Sequence, residues 1–151
     1  MNVRFIKTPE KRKIIAELQE QYGISELPYL LLETGKEKIR GFSGHLSKDE
    51  LIKIGSIANV EIIGIYLVKK EQDWRISLDA AHLLQAQITK GIIEIDDEQL
   101  FLWIRGHDIE FKNEIPKGTF VVKHNGDFIG CAKSNGAKLF NYVPKERRIR
   151  K

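Results

Sequence analysis

Apolar positions first recur in a helical rhythm. Ile14, Ile15, Leu18 and Tyr22 follow one another at helical spacing and mark one face of a helix. Thr8, Pro9 and Glu10 open it with a hydroxyl cap, a proline at the first helical position, where its missing N–H costs nothing, and an acid near the positive end of the dipole. Gly23 supplies the stop. The period then falls to two. Tyr29 to Glu33 is a short apolar run, Gly35 follows, and Lys38-Ile39-Arg40-Gly41-Phe42 alternates, so the pair predicts a hairpin. Ser47 and Glu50 form a capping box before Leu51, Ile52, Ile54 and Ile57, which predicts a second helix. β-Branched residues from Val60 to Lys70 predict one long strand. Glu71-Gln72-Asp73 is its turn, Trp74 to Leu78 the returning strand, and Asp79 to Gln87 a short helix.

From Lys90 the pattern changes to short strands punctuated by glycine, which places a domain seam there and divides the chain into residues 1–89 and 90–151. Ile92, Ile93 and Ile95 read as a strand. Asp96 and Gln99 resemble a capping box, and Gly106 ends the segment, so residues 97–105 are expected to be helical despite their strand-like composition. Asp108 to Phe111 is a short strand, Pro116-Lys117-Gly118 a turn, and Thr119 to Lys123 a strand. Asn125-Gly126 between Phe120-Val121-Val122 and Phe128-Ile129 is the signature of a two-residue type I′ hairpin, because both central positions need positive φ. Asn135-Gly136 repeats the device before Lys138 to Val143. Short strands with one helix suggest a small closed or nearly closed barrel, which hides its edges, and the whole is expected to be of α+β class.

Charge sharpens this picture only through its position. The chain of 151 residues carries a formal charge of +4. Residues 1–89 contribute +1, residues 90–143 contribute −1, and the last eight residues, Pro144 to Lys151, contribute +4. The body is balanced and the end is basic, a pattern that suits contact with a polyanion. Lys/Arg residues of the second half, namely Arg105, Lys112, Lys117, Lys123, Lys133 and Lys138, fall at strand ends and loops, where one side of a barrel can gather them. The single cysteine, Cys131, excludes an internal disulfide, and no basic-apolar leader opens the chain, so a soluble, cytoplasmic protein is expected. Apolar runs such as Ile62 to Val68 fall short of the roughly 20 residues of a membrane span.

Catalytic signatures are scarce. The glycines are spaced as turn residues and not as a phosphate-cradling nest. Gly41-Phe42-Ser43-Gly44 lacks the residue that a nucleophile elbow needs between serine and second glycine. Asp96, Asp97 and Glu98 suit a helix start better than a metal, Cys131 follows Gly130 in an apolar strand where a thiol is inert, and His107 beside Asp108 has no nucleophile to serve. Trp74 and Trp103 are expected in the core. Gly106, Gly118 and Gly130 read as fold determinants.

Residues 90–151 resemble a PUA domain, the small pseudo-barrel of RNA-modifying enzymes and ribosome-assembly factors. The matching features are Ile92 to Ile95, then Leu100-Phe101-Leu102-Trp103-Ile104-Arg105-Gly106, then Gly118 before Phe120-Val121-Val122, and the Ile129-Gly130-Cys131-Ala132 step. Thr119 stands after Gly118 where many such domains have aspartate. The ending Asn141-Tyr142-Val143-Pro144-Lys145-Glu146-Arg147-Arg148 is similar to the terminus of the PUA-like domain of Sun/Fmu-type RNA cytosine-5 methyltransferases. Residues 1–89, with Trp74 to Ala80, resemble the pre-PUA module of Nip-type large-subunit assembly factors.

The resemblance implies a non-catalytic RNA-binding protein acting in rRNA or tRNA maturation or ribosome biogenesis. No S-adenosylmethionine loop and no Pro-Cys catalytic motif stands in the sequence, and no cofactor or metal is expected. The expected RNA contacts are Arg105, Lys117, Lys123, Lys133, Lys145, Arg147, Arg148, Arg150 and Lys151. The alternative is an interaction module that docks through its first half on a separate RNA methyltransferase or ribosome-assembly protein and supplies RNA binding in trans.

Overall fold

Two five-stranded sheets share the molecule, which a computed structural model describes for residues 3–58, 60 and 62–150. The first half runs β1 (Val3–Phe5), α1 (Thr8–Tyr22), β2 (Leu30–Thr34), β3 (Lys38–Phe42), α2 (Lys48–Ile57), β4 (Ile65–Lys70), β5 (Trp74–Ile76) and α3 (Leu78–Leu83). Its strands form an antiparallel meander in the order β1-β2-β3-β4-β5. Ser47 and Glu50 close the capping box of α2, and Gly23 ends α1 at φ 87°.

Several expectations for this half need correction, among them the helix expected from Asp79 to Gln87, which runs Leu78–Leu83. Thr8 is the first residue of α1 and not its cap. Lys7 occupies the cap with no side-chain bond, and Pro9 sits one place deeper, still among the leading residues whose N–H groups have no helical partner. The strand expected from Val60 begins at Ile65, because Gly64 at φ 71° breaks the extended path and lets the chain pass against Gly41, where a Cβ would stand 2.4 Å from the carbonyl oxygen. β1, paired with β2, was not foreseen, since three residues carry no period.

The second half runs β6 (Ile92–Glu94), α4 (Asp97–Trp103), β7 (Ile109–Glu110), β8 (Gly118–His124), β9 (Asp127–Ser134) and β10 (Lys138–Asn141), followed by a 3-10 turn at Lys145–Arg147. The strand order is β6-β8-β9-β10-β7, with β6 parallel to β8 and the other pairs antiparallel. The sheet curls into a half-barrel whose ends, β6 and β7, are not paired with each other among the described residues. Asp96 and Gln99 complete the capping box that starts α4. Asn125 and Gly126 take φ 45° and 87°, as the β8–β9 turn requires. Asn135-Gly136 works differently. Only Gly136 has positive φ, and Asn135 Oδ1 accepts from the N–H groups of Ala137 and Lys138 at 3.0 and 2.8 Å, an Asx turn in a three-residue loop.

Alternation in β8 and β9 divides the cores. Val122, Ala132 and Leu139 face into the half-barrel around Trp103, which is wholly buried and donates its indole N–H to the Ile129 carbonyl at 2.9 Å. Val121 and Cys131 face the other way, into a core with Leu18, Tyr22, Trp74, Ile76 and Ala80 of the first half. Gln21 ties α1 to β5 by accepting from Trp74 N–H at 2.9 Å and donating to its carbonyl at 2.8 Å. The outer face of β9 is thereby covered by the first half around Cys131, while Lys133 on the same face stays exposed.

Candidate nucleic-acid interface

Alternation also arms the outer face of β10. Leu139 and Asn141 turn inward, so Lys138, Phe140 and, just past the strand, Tyr142 turn outward and are half-buried. The Lys138 amine lies 5.6 Å from the centre of the Phe140 ring and 3.8 Å from Asp108 Oδ2. Exposed Lys133 pairs across the ladder with Phe140 and so shares this face. Tyr142 hydrogen-bonds through its N–H to the Cys131 carbonyl at 3.2 Å, and the Arg75 guanidinium of β5 stacks over its ring at 4.6 Å. Cations and aromatic rings thus interleave along one strip, an arrangement suited to a chain of phosphates and bases.

The strip leads into a cleft of about 350 Å³ between the halves, lined by Tyr66, Arg75, Asp79, Gly130, Tyr142 and Arg147 among others. Arg75 pairs with Glu71 at 3.3 Å and Arg147 with Asp79 at 3.1 Å. The Tyr66 hydroxyl is buried and has no hydrogen-bond partner.

The basic end is folded back and not a loose arm. Ile149 N–H donates to the Ile104 carbonyl at 2.8 Å, and Arg148 Nε donates to the Val143 carbonyl at 3.0 Å. The Arg148 stem crosses Gly106 so closely that a Cβ there would meet its Cδ at 2.5 Å. Arg105 stacks on Phe101 at 3.6 Å from the ring centre and donates to its carbonyl at 2.8 Å.

The residues expected to touch RNA therefore fall in separate places. Lys133 lies on the strip and Arg147 at the cleft. Arg105 and Arg148 share the corner at the end of α4. Lys117 is exposed ahead of β8, against Gly136, whereas Lys123 stands at the other end of that strand with its amine 5.2 Å from the Phe128 ring. Roughly 20 Å of strand separates those two lysines, so they form no common cluster. Lys145 and Arg150 are exposed, and Lys151 lies outside the described residues. Phe140, Tyr142, Tyr66 and Arg75, which line the strip and the cleft, are not among the expected contacts. Phe140 and Tyr142 alternate with Leu139 and Asn141, a signal that could have marked an outward aromatic face.

Groups weighed for catalysis have structural surroundings. Burial pushes the Cys131 thiol up to about 12, so it is not a thiolate at neutral pH. His124 pairs with exposed Asp97 at 2.7 Å, and His107 is exposed. Among the described residues, no three His, Cys, Asp or Glu side chains are grouped to hold a metal ion. Gly106, Gly118 and Gly130 all have positive φ, at 88°, 131° and 143°.

Residues 90–149, the whole half-barrel with its folded-back end, match the family described as Methyltransferase RsmF PUA domain. This half is a PUA domain. Its resemblance to the C-terminal domain of Sun/Fmu-type methyltransferases extends to a protein sequence: the chain is 26% identical over 85 residues to "Ribosomal RNA small subunit methyltransferase F" of Aeromonas salmonicida. The aligned segment is 56% of this chain and 18% of that relative, so the likeness spans under a fifth of the relative's length. A solved structure, "Structure of a Conserved PUA Domain Protein from Thermoplasma acidophilum", is similar over 93% of both chains, with a TM-score of 0.59 and 17% identity. That likeness shows the fold, with the first half as well as the PUA domain included.

Proposed function

We propose that this protein is a non-catalytic, cytoplasmic RNA-binding protein of rRNA or tRNA maturation, in which the PUA domain holds the RNA along the strip of β10. The observation that carries this reading is the interleaving of Lys138, Phe140, Lys133 and Tyr142 on one face of that domain, with Arg75 of β5 stacked on Tyr142. Phosphates would be held by Lys133 and Lys138, with Lys145 and Arg150 nearby in sequence, and bases would stack on the rings. If four or five phosphates are neutralised, affinity for total tRNA or rRNA fragments falls roughly 50- to 500-fold between 50 and 200 mM salt. A salt-independent affinity, or one unchanged in a Lys133→Gln, Lys138→Gln protein, sinks the reading.

A second reading has its own observation. Beside β1 and α2 lies a groove of about 430 Å³ whose lining includes Phe5, Leu51, Ile52 and Ile63, and Ile52, Ile57 and Ile62 are 52%, 79% and 70% exposed. Such a patch suits a protein partner, for which a separately encoded RNA methyltransferase or ribosome-assembly protein is the candidate. Co-purification of one of these at fixed stoichiometry, abolished by Ile52→Asp, supports docking; a monomer that binds RNA unaided counts against it.

A further inference from the structure

The cleft at the end of the strip has a chemistry distinct from the strip itself. At about 350 Å³ it lies near the small end of ligand pockets, and it has no room for a duplex. Its charges cancel. Arg75 and Arg147 face it beside Asp79 and Glu146, and each guanidinium already has a carboxylate, Glu71 at 3.3 Å and Asp79 at 3.1 Å. With each guanidinium already charge-paired, the cleft has little net attraction for an anion, which disfavours a phosphate as the occupant.

What the cleft offers instead is the Tyr142 ring, with Arg75 over it, and the Tyr66 hydroxyl, which lies beside Arg75 without a hydrogen bond of regular geometry. Arg75 holds the Tyr142 ring in place from β5. The Tyr66 ring is flanked by the Lys38 amine at 5.8 Å, and its backbone carbonyl accepts from Ser77 Oγ at 2.6 Å, so the residue is fixed while its hydroxyl stays unpartnered. Burial raises its pKa, with Arg75 pulling the other way, so the group is a neutral phenol able both to donate and to accept. A buried hydroxyl without a partner carries a desolvation penalty that a ligand atom can relieve.

We infer that the cleft receives one unpaired nucleobase, flat against Tyr142 and hydrogen-bonded to the Tyr66 hydroxyl, while Lys133 and Lys138 outside hold the flanking phosphates. The inference rests on the RNA-binding reading for the source of the base. Stacking on a tyrosine accepts any base, whereas the single hydroxyl adds a preference set by the base edge that faces it.

Two oligoribonucleotide probes test it, one carrying a single 2-aminopurine in an otherwise abasic backbone and one fully abasic, so that they differ only in the base. The wild-type protein should bind the first about tenfold more tightly and quench its fluorescence. Tyr66→Phe removes only the unpartnered hydroxyl, so it should melt no lower than wild type, bind the abasic probe equally well, and lose most of the preference. Equal binding of both probes by the wild type, or a preference that survives both Tyr66→Phe and Tyr142→Ala, overturns the inference while salt-dependent binding of the abasic probe leaves the RNA reading standing. If neither probe binds, the RNA reading fails. Titration with free 2-aminopurine riboside monophosphate then decides: binding that Tyr66→Phe weakens keeps the cleft as a nucleoside site, and no binding overturns it.

Discussion

Arg75 of β5 lies over the ring of Tyr142, with its guanidinium 4.6 Å from the ring centre, and so joins the edge of the first sheet to the last strand of the PUA domain. Glu71, in the turn between β4 and β5, pairs with the same guanidinium at 3.3 Å. The contact couples the two halves at the mouth of the cleft.

That coupling is measurable. Arg75→Ala and Tyr142→Ala should each lower stability, and urea unfolding of the two single variants and the double variant should return an interaction energy of about 0.5–1 kcal/mol, as expected for a partly exposed cation–aromatic pair. Strict additivity of the two losses would show that the stack contributes nothing.

The folded-back terminus separates charge from structure. Lys145 and Arg150 are exposed, so Lys145→Gln with Arg150→Gln should leave the melting temperature unchanged and reduce the salt slope of RNA binding by roughly 1.4 to 1.8. Arg148→Ala should act on the fold, since it removes the bond to the Val143 carbonyl and uncovers Gly106, at a cost of about 1–2 kcal/mol. An unchanged slope in the first variant would remove these two side chains from the RNA contact.

Much of this architecture was written locally. Ser47 with Glu50 and Asp96 with Gln99 are reciprocal caps that need no tertiary context, and Asn125-Gly126 fixes its own turn. The α4 segment shows the strength of such a cap, because Leu100-Phe101-Leu102-Trp103 has the composition of a strand and is helical nonetheless. The candidate site was less legible for a physical reason. Lysines announce charge at every position, so Lys117 and Lys123 looked equivalent to Lys133, yet only β-sheet register decides which of them share a face. Arg75 and Tyr142 stand far apart in the chain and meet only because Val121 and Cys131 pack against the first half.

Cys131 makes stability depend on alkaline pH. Its thiol rises from 9.0 to about 12 by burial, so the unfolded chain loses this proton first. Below pH 9 both states keep it and the contribution is complete. Between pH 9 and 12 the folded state alone holds the proton, so stability falls as pH rises, by up to about 4 kcal/mol for a shift of this size. Denaturation in urea across that range should therefore show a steeper decline for wild type than for Cys131→Ala, even though the variant starts lower through its cavity. Alkylation by iodoacetamide at pH 8 should occur only in urea. Parallel declines for the two proteins would exclude the thiol as the source.

Gly130 carries two separable costs. Its φ of 143° lies where side chains are rarely tolerated, and a Cβ would stand 2.8 Å from Val143 Cγ2 and 3.3 Å from Trp103 Cζ2. Gly126, at φ 87°, has nothing within 4 Å of the same position. Gly126→Ala thus pays backbone strain alone, about 1–2 kcal/mol, whereas Gly130→Ala adds a clash against two core residues held by hydrogen bonds, the Trp103 indole to the Ile129 carbonyl and the Val143 backbone N–H to Asn141 Oδ1. The expected loss for Gly130→Ala is about 3–5 kcal/mol, with a shifted Trp103 emission that Gly126→Ala does not show. Equal losses in the two variants would mean that the half-barrel yields around residue 130, and that the close approach there is not what fixes the packing of Trp103.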